Sequence, residues 1–545
     1  MTDPHPTLHR IREVVGDAHL STDPTSIAAY SRDTSLWKKT CVAVVHPAST
    51  DEVARIIRIA AETRLAVWPF SAGKNWGYGA TMGFREGALI MVLDRMDRII
   101  TVDERMAVAL IEPGVTQGQL NAYLKTNGIN LWADCTDSTP KGSVIGNALE
   151  RGVGYTPYWD HFAHLCGMEV VLPTGDIVRT GGGPEGSRTW NLHKWGTGPY
   201  LEGLFSQSNF GVVTQAGVWL MPTPDAFGCF LCEVEDEGNQ GALVDTLRQL
   251  VLRRVISSNV HIVNDVMLLA QMIQYPYDML GGRTHLSPDM RAALRRKYKI
   301  APWTVSGGLY GPTSHVRGSR RIIKRELSRF GRVTLLNDRS FGVLSALTGF
   351  WERHSGNPLV ASVMPVLLRA SIEKLGVIRH IYPILKGIPG EDIVGFAYFK
   401  SRRGRPKTDV DPARDGAGLM WLAVACPMSG KDSARLVALC RDCFESHGLD
   451  LSITFIMVNA RTALGLVEIF YDKDSPDESA RAQVLYDTVT DVAERDGFPQ
   501  YRTSVAYSDR ILNRAPAFQQ FVNALKAAID PSDVLAPGRY GIGLR

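Results

Sequence analysis

The sequence predicts an α+β protein of two domains. The first 225 residues alternate short β-rich runs, glycine-rich turns and amphipathic helices, whereas from residue 226 glycine becomes rarer and longer helical patterns alternate with strands. Residues 500–545 return to the turn-rich texture of the first part. A length of 545 residues also exceeds that of one ordinary domain. We therefore expect a first domain at 1–225, completed by 500–545, and a second domain at 226–499.

Apolar spacing and turn residues predict the individual elements in order. Residues 42–45 (VAVV) predict a strand. Residues 51–62 predict a helix, because apolar residues recur at helical spacing and acidic residues occupy the first turn. Residues 65–69 predict the next strand, which leads into a glycine-rich loop. In the second domain the same reasoning predicts helices at 240–255 and 317–330 and strands at 418–425 and 451–458.

Composition and charge exclude several classes of partner. The chain is 45% hydrophobic and 21% charged, with a formal net charge of +4, which is typical of a water-soluble globular protein. Its densest basic run, KSRRGRPK at 400–407, is interrupted by Gly and Pro, so we interpret it as a solvated loop and expect no nucleic-acid partner. The N-terminus lacks an apolar signal core and no run of 18 apolar residues occurs. We therefore expect a cytoplasmic protein with no membrane partner.

The cysteines and histidines predict no metal site. Two Cys-x-x-Cys pairs occur, Cys229/Cys232 and Cys440/Cys443, but they are too far apart in the sequence for a compact zinc ribbon. The first pair lies in an apolar strand-like run and the second on a helical pattern, so buried structural thiols are the better interpretation. His161 and His164 have no carboxylate or thiol at ligand spacing.

The loop after the second predicted strand is the first candidate binding element. Residues 70–79 read FSAGKNWGYG and expose consecutive backbone N–H groups with little side-chain obstruction, which is how proteins hold a pyrophosphate. Taken alone, the segment is also compatible with an ordinary loop. It matches neither Gly-x-Gly-x-x-Gly nor Gly-x4-Gly-Lys-Ser/Thr, so it indicates neither a Rossmann dinucleotide site nor a P-loop.

Further segments in a fixed order make the loop more specific. They are STPKGSVIGNALERG at 138–152, GYTPYWDH at 154–161, GPYLEGLFSQSNFGVVT at 198–214 and LAPG at 535–538. Together with the loop they resemble the vanillyl-alcohol oxidase/p-cresol methylhydroxylase family over most of 40–225 and 495–545. The resemblance implies a two-subdomain FAD-binding domain with an α+β cap domain for the substrate. It also implies FAD as cofactor and a para-substituted phenol as substrate.

The resemblance also implies roles for particular residues. Tyr78, and the pair Tyr501-Arg502 followed by Thr503, match the family's binding site for the substrate's phenol oxygen. Asp160 matches the family's aspartate near the flavin N5 and the reacting carbon. The positions that we expect to bind FAD are Pro69, Ser71, Ala72, Gly73, Lys74, Asn75, Trp76, Ser138, Thr139, Gly142, Ser143, Gly146, Asn147, Gly152, Val153, Gly211, Val212, Val213 and Arg539.

These roles make chemical sense without the resemblance. Loss of a hydride from a benzylic carbon leaves a cation-like centre, which an ionised para oxygen stabilises strongly. One guanidinium and two phenol O–H donors would favour that ionised form. The product is a para-quinone methide, and Asp160 would then activate water or deprotonate a benzylic alcohol. Each residue singly has a structural interpretation: Tyr78 as a buried aromatic, Asp160 as a structural acid and Tyr501-Arg502 as a surface pair.

Several properties of the enzyme differ within the family or are left open. Many relatives attach FAD to a histidine or tyrosine of the cap domain, but no histidine follows His447, and Tyr471 is out of register with the expected position near 463–465. We therefore predict non-covalent FAD. The electron acceptor, O2 or a cytochrome c-type protein, stays open, as do the exact phenol and the hydroxylation, desaturation or alcohol-oxidation outcome. We expect a homo-oligomer, most simply a homodimer. The alternative function is oxidation of a non-phenolic alcohol, lactone or 2-hydroxy acid on the same fold.

Overall fold

The chain folds into two compact units. The computed structural model describes residues 5–182, 186–354, 378–511 and 515–543. The first unit comprises Met1–Val153, Asp160–Pro222 and Arg502–Arg545, and the second comprises Gly154–Trp159 and Thr223–Tyr501. The domain boundaries expected at 225 and 500 stay a prediction. The short segment Gly154–Trp159, which belongs to the second unit, had no counterpart in the sequence analysis.

The first unit contains two larger sheets and one short strand pair. One sheet has the order β1-β2-β4-β3, in which β2, β4 and β3 are parallel, and the other has the order β5-β6-β10-β8-β9 and is antiparallel. The strands are β1 Leu20–Ser21, β2 Cys41–Val45, β3 Val67–Phe70, β4 Ala88–Val92, β5 Ile99–Asp103, β6 Val108–Ile111, β7 Leu131–Trp132, β8 Leu165–Val171, β9 Ile177–Arg179, β10 Val212–Trp219 and β11 Met221–Pro222, and β7 pairs with β11. The helices before Pro222 are α1 His5–Val15, α2 Pro24–Ala29, α3 Thr50–Thr63, α4 Gln117–Thr126 and α5 Val144–Leu149.

Helix α3 shows how local sequence determines an element of this unit. The Ser49 hydroxyl accepts a hydrogen bond from the Glu52 N–H and so caps the N-terminus. Acidic residues in the first turn interact favourably with the positive end of the helix dipole. Val53, Ile56 and Ile57 are among the residues of its buried face. The helix ends at Arg64, whose φ of 55° is left-handed. Strand β3 begins three residues later and is followed by the glycine-rich loop.

The C-terminus returns to the same strand β3. Val67 N–H donates to the Val534 carbonyl, and Ala536 N–H donates to the Val67 carbonyl. The residues that pair with β3 follow the last α-helix of the described chain, α13 Pro516–Ile529. The buried Lys526 ammonium holds the return, because it donates to the Leu535 carbonyl at 2.8 Å and also pairs with Asp530.

The second unit is built on an eight-stranded sheet of order β15-β12-β14-β13-β17-β18-β16-β19, in which the pairs from β15 to β16 are antiparallel. Ile262, Val305 and Phe455 pair with one another across the strands and are fully buried, whereas the alternate positions Val263 and Ser306 are half-buried. The strands are β12 Ala226–Val234, β13 Val260–Asn264, β14 Trp303–Gly311, β15 Gly331–Leu336, β16 Gly418–Pro427, β17 Ser452–Met457, β18 Thr462–Tyr471 and β19 Gln500–Arg502. The helices are α6 Gln240–Leu252, α7 Asp265–Met272, α8 Pro288–Tyr298, α9 Thr313–Leu327, α10 Asp338–His354, α11 Gly430–Ser446 and α12 Pro476–Arg495.

The sequence-predicted elements are confirmed in type, with end points that shift by a few residues. The predicted strands at 42–45 and 418–425 are β2 and β16, and the predicted helix at 51–62 is α3. The predicted helices at 240–255 and 317–330 are α6 and α9, each of which ends about three residues earlier than expected. The four cysteines of the two Cys-x-x-Cys pairs are free and buried, as predicted.

The basic run at 400–407 is only partly the solvated loop that we expected. Lys400 is buried and donates to the Glu478 carboxylate at 2.6 Å, so that interpretation is wrong for this residue. Arg402 and Arg403 are exposed and pair with Asp472 and Asp474. Neighbouring acidic groups therefore offset the charge of the run. In the described ranges no helix is long and apolar enough to cross a membrane, and no cluster of three His, Cys, Asp or Glu residues could hold a metal.

Candidate active site

The glycine-rich loop after β3 is held in place by a buried carboxylate. Asp33 accepts the backbone N–H of Gly77 at 2.9 Å and that of Gly79 at 3.1 Å, so both residues that flank Tyr78 are fixed by one side chain. Gly79 has a φ of 109°, and a Cβ at this position would lie 2.7 Å from a methyl group of Val505. Glycine is therefore required here both by the backbone conformation and by the close approach of the C-terminal segment.

Tyr78 is buried in the first unit beside Arg502. The Tyr78 carbonyl accepts the Val505 N–H at 2.9 Å, which ties the glycine-rich loop to the segment that follows β19. The Arg502 guanidinium carbon lies 4.6 Å from the centroid of the Tyr78 ring, a cation–π arrangement. Arg502 also donates to the Asn75 side-chain oxygen at 2.5 Å. Two residues that the sequence analysis assigned to the phenolate site, Tyr78 and Arg502, are thus brought into contact although they are far apart in the sequence.

Arg502 is buried but is not saturated with hydrogen bonds. Only 11% of its side chain is exposed, and its Nε has no hydrogen-bond partner. The nearest carboxylate oxygen to that Nε is Glu150 Oε2, at 3.9 Å. A guanidinium with a buried N–H that has no partner is suited to bind an anionic group of a ligand. Burial strengthens the hydrogen bond between the two charged groups, and a buried donor without an acceptor costs free energy.

Glu150 connects Arg502 to the C-terminal return. Its carboxylate pairs with the Arg539 guanidinium and accepts the Tyr540 O–H at 2.5 Å. Burial lowers the pKa of Arg539 from its ordinary value, and Tyr540 opposes that shift. The arginine nonetheless stays charged, because its ordinary pKa is so high. Arg539, which the sequence analysis assigned to FAD binding, therefore belongs to the same cluster as Arg502.

The segment 138–147 packs against the start of the glycine-rich loop. Ser143 caps α5 by accepting the Gly146 N–H at 2.9 Å, and it donates to the Pro113 carbonyl at 2.6 Å. A Cβ at Gly146 would lie 3.0 Å from the Ser71 hydroxyl, so the loop and the helix start approach closely. Gly142 N–H closes a turn by donating to the Thr139 carbonyl. Ser71, Ser143 and Gly146, three of the expected cofactor positions, thus lie side by side.

Other expected cofactor positions have structural partners of their own. The Asn147 side-chain oxygen pairs with His161 Nδ1 at 2.6 Å, and a Cβ at Gly152 would overlap the Asn147 side chain. Val212 and Val213 are buried in hydrophobic clusters and pair with β8 through their backbone. Of the remaining positions, Pro69 lies in β3 and Gly211 directly precedes β10. The others lie outside the helices and strands: Ala72, Gly73, Lys74, Trp76, Ser138 and Val153.

Asp160 occupies a turn with a different set of neighbours. Its Oδ1 accepts the Ala163 N–H at 2.8 Å, and its backbone carbonyl pairs with His164 Nδ1 at 2.7 Å. The Lys194 ammonium donates to the carbonyls of Phe162 and Ala163 in the same turn. Burial lowers the pKa of Lys194, although the nearby charge of Asp160 is among the groups that oppose this shift. The described contacts of Asp160 are those in this turn and a backbone bridge to Val153, and none of them joins it to Tyr78 or Arg502.

Tyr501 and Tyr471 lie in the second unit. Tyr501 is half-buried in β19, directly before Arg502. Tyr471 ends β18 and is fully buried. Within Gly154–Trp159, Tyr155 stacks on His261 with ring centroids 4.2 Å apart, and the Gly154 carbonyl accepts from Asn259 at 2.8 Å. This segment follows Val153 and precedes Asp160, two expected site residues of the first unit.

Comparison with known proteins agrees with this geometry. The family described as "FAD binding domain" matches residues 42–181. The 1'-carboxy-chondrochloren decarboxylase of Chondromyces crocatus is 35% identical to the chain over 98% of the chain and 96% of that protein. The 4-cresol dehydrogenase [hydroxylating] flavoprotein subunit of Pseudomonas putida is 29% identical over 98% and 95%. The chain belongs to the vanillyl-alcohol oxidase/p-cresol methylhydroxylase family.

Solved structures support the assignment to this family. p-Cresol methylhydroxylase with bound substrate superposes with a TM-score of 0.85 at 28% identity, over 99% of this chain and 96% of that one. The 4-ethylphenol oxidase from Gulosibacter chungangensis gives a TM-score of 0.85 at 26% identity, over 99% and 97%. The fold is the FAD-binding α+β fold of the family, and the protein is an FAD-dependent oxidoreductase.

The described residues fit FAD as the cofactor. A Cβ at Gly146 would make a tight contact with Ser71, and Arg502 retains an unbonded Nε–H. The glycine-rich loop and the cap of α5 would hold the pyrophosphate through backbone N–H groups. These elements belong to the first unit, as does most of the 42–181 match.

Sequence reasoning missed two residues that build this site. Asp33 gives no local signal, because its partners Gly77 and Gly79 lie more than forty residues along the chain. Glu150 stands inside the family-like segment 138–152, but nothing in that segment shows that its partners are Arg539 and Tyr540. Invariance across homologues would have been the available signal for both residues.

Proposed function

We propose that the protein oxidises para-substituted phenols at the benzylic carbon, with FAD as the hydride acceptor. The observation that carries the proposal is the contact between Arg502 and Tyr78, where a buried guanidinium with an unbonded Nε lies 4.6 Å from a phenol ring. A fixed cation beside a phenol donor suits a substrate oxygen that must be ionised. Oxidation of an aliphatic alcohol or 2-hydroxy acid has no need for that pair.

The chemistry requires a lowered phenol pKa. A free phenol has a pKa of about 10, so at neutral pH the site must favour the phenolate, and each pKa unit requires about 1.4 kcal/mol. Under the proposal, Arg502 supplies the charge, and the hydroxyl groups of Tyr78 and Tyr501 donate hydrogen bonds. Bound FAD supplies the electron sink for the hydride. The ionised oxygen then delocalises the positive charge that develops at the benzylic carbon, and the organic product is a para-quinone methide.

Asp160 is proposed to act after hydride transfer. One carboxylate oxygen accepts the Ala163 N–H, and the proposal assigns the other oxygen to a water molecule or to a benzylic hydroxyl. Removal of a proton from water gives attack at the exocyclic carbon and a 4-hydroxybenzylic alcohol. Removal of the hydroxyl proton from such an alcohol would instead accompany its oxidation to an aldehyde.

The proposal includes the remaining partners. The relative from Pseudomonas putida is named a flavoprotein subunit, which favours a separate acceptor protein of the cytochrome c type, whereas the relative from Gulosibacter chungangensis is named an oxidase, which favours O2. Both acceptors therefore stay in the proposal. FAD is held without a covalent bond, and the protein works in the cytoplasm as a homo-oligomer, most simply a homodimer.

Anaerobic reduction of the flavin tests the proposal. The holoprotein is mixed without O2 with 4-methylphenol, 4-ethylphenol and 4-hydroxybenzyl alcohol, and in parallel with the methyl ether of each compound. Flavin absorbance should bleach with the free phenols and persist with the ethers, because an ether cannot ionise. Equal bleaching by phenols and ethers, or bleaching by D-lactate or glycolate alone, would refute the phenol assignment and favour the non-phenolic alternative.

A second fate of the quinone methide is favoured by the relative that is named a decarboxylase. When the para side chain carries a carboxylate one carbon beyond the benzylic position, the C–C bond to that carboxylate can break. Its electron pair forms a vinyl double bond and the ring returns to the phenolate, so CO2 is the only other product and FAD remains the only oxidant. Incubation with 3-(4-hydroxyphenyl)propanoate would then give 4-vinylphenol and CO2 in equal amounts. Formation of the benzylic alcohol with the carboxylate retained would contradict this branch.

A further inference from the structure

The cluster around Glu150 contains more than the groups that bind a phenolate. Glu150 is buried at the C-terminus of α5, and its two carboxylate oxygens face different partners. Oε1 pairs with Arg539, whereas Oε2 accepts the Tyr540 O–H and lies 3.9 Å from Arg502 Nε. One carboxylate is thus shared by two guanidinium groups, and that of Arg502 lies over the Tyr78 ring.

We propose that Glu150 is the counterion that positions Arg502 and limits the positive charge that this arginine presents to a bound phenolate. This inference rests on the proposed function and concerns the same site. It makes Glu150 a positioning residue, since its described contacts are with Arg539, Tyr540 and Arg502.

The geometry explains why such a counterion is useful. Without Glu150, two buried guanidinium groups would lie in one cluster with no carboxylate between them, and uncompensated buried charge is costly. With Glu150, the cluster keeps one net positive charge, which is enough to favour a phenolate. The quinone methide that forms next has a neutral oxygen, so a moderate positive charge also allows the product to leave more easily than a stronger one would.

The inference predicts the sign of an electrostatic change. Glu150→Gln keeps the size of the side chain and an oxygen acceptor for Tyr540 but removes the negative charge. The charged and titratable groups recorded around this position are Arg502, Arg539, Tyr540 and Tyr78. The first two keep their charge in the variant, so the positive potential rises. A bound phenol should then ionise at a pH lower by about one unit, as expected for a unit charge roughly 10 Å away at an effective dielectric constant of about 20.

The experiment measures ionisation without turnover. 4-Fluorophenol has no benzylic C–H, and its fluorine NMR shift reports the ionisation of the bound phenol across a pH series in the oxidised holoprotein. Glu150→Gln should lower the apparent pKa of the bound phenol by about one unit, which is about a tenfold gain in phenol affinity at pH values above the pKa of the bound phenol. Glu150→Asp retains the charge and should stay near the parent value. Tyr540→Phe is the matched control, because it removes a hydrogen bond to the same carboxylate but no charge.

Each other outcome overturns the inference. An unchanged or raised pKa in Glu150→Gln would do so, as would a shift of equal size in Tyr540→Phe. Loss of FAD from Glu150→Gln would show that the residue is needed to assemble the site rather than to regulate its charge.

The parent protein separates this inference from the proposed function. If the parent does not bind 4-fluorophenol, the proposed function fails. The counterion role is then tested by measuring unfolding free energies instead. The unfolding cost of Glu150→Gln should then largely disappear in an Arg539→Met background, because removal of both charges leaves neither uncompensated. An additive pair of costs would refute the counterion role.

Discussion

Asp33 offers a direct test of how the fold positions Tyr78. The change is Asp33→Asn, which keeps the size of the side chain but provides one oxygen acceptor in place of two. In the parent, separate carboxylate oxygens accept the N–H groups of Gly77 at 2.9 Å and Gly79 at 3.1 Å. In the variant, one of these N–H groups would face an NH2 group, which is also a donor. We therefore expect the loss of one buried hydrogen bond to a charged group, about 1.5–3 kcal/mol of unfolding free energy.

The effect on catalysis should exceed what this loss of stability explains. Tyr78 lies between the two glycines, and a side chain displaced by about an ångström from a productive geometry costs on the order of tenfold to a hundredfold in rate. Steady-state kinetics with 4-methylphenol should show kcat/KM reduced by that factor, while the affinity for FAD changes little. Fluorescence titration of apoprotein with FAD measures that affinity.

A matched substitution separates the loop from the general effect of losing a carboxylate. Asp23 also accepts a backbone N–H, that of Ser26 at 2.9 Å, but it caps α2 at an exposed position. Asparagine and aspartate are equally good caps, so Asp23→Asn should change the unfolding free energy by less than about 0.5 kcal/mol and leave kcat/KM unaltered. Parent-like turnover of phenols by a folded Asp33→Asn variant would refute the role of Asp33 in positioning Tyr78.

Three further predictions follow from other contacts. Arg502→Lys should lower kcat/KM for phenols by about a hundredfold or more, because lysine lacks the planar fork that stacks on Tyr78 and reaches Asn75; a loss below about threefold in steady-state assays would contradict this. Acid precipitation of the holoprotein should leave FAD in the supernatant, and a yellow pellet would show a covalent bond. Burial raises the pKa of Glu202, so between its ordinary value and the raised one the folded protein binds more protons than the unfolded one, and stability falls as pH rises through that window. Glu202→Gln should therefore gain stability relative to the parent on going from about pH 4 to about pH 7 in urea unfolding, and a difference independent of pH would count against the shift.

The sequence predicted those parts of the fold and site whose signal is local. Helix α3 was predictable because its cap, its acidic first turn and its apolar face lie within one stretch of chain. The loop at 70–79 was recognisable for the same reason, since its glycines and the preceding strand are contiguous. The position of Tyr78 inside that loop then followed from the family resemblance.

Residues whose role depends on distant partners were not predictable in this way. Lys400 looked like part of a solvated basic run, because a sequence shows its charge but not the carboxylate of Glu478, which lies in α12. Asp33 and Glu150 are similar cases. An acidic side chain in a loop or at a helix end is common, and its role cannot be predicted before its partners are known. No periodicity marks such contacts, because tertiary packing rather than local conformation brings the groups together.

The candidate site also shows why the C-terminus of this chain belongs to its cofactor domain. Arg502 begins the return to the first unit, and three residues later Val505 N–H bonds to the Tyr78 carbonyl. The chain then forms α13 and meets β3 again through Val534 and Ala536, before Arg539 reaches Glu150. Lys526, buried between Asp530 and the Leu535 carbonyl, fixes this second approach. The two approaches bring Arg502 and Arg539 to different carboxylate oxygens of Glu150, so the charge of the site is determined by the path of the C-terminal segment as much as by the glycine-rich loop. The roles of Arg502 and Arg539 therefore depend on where the C-terminal segment runs, and neither residue shows its role by itself in the sequence.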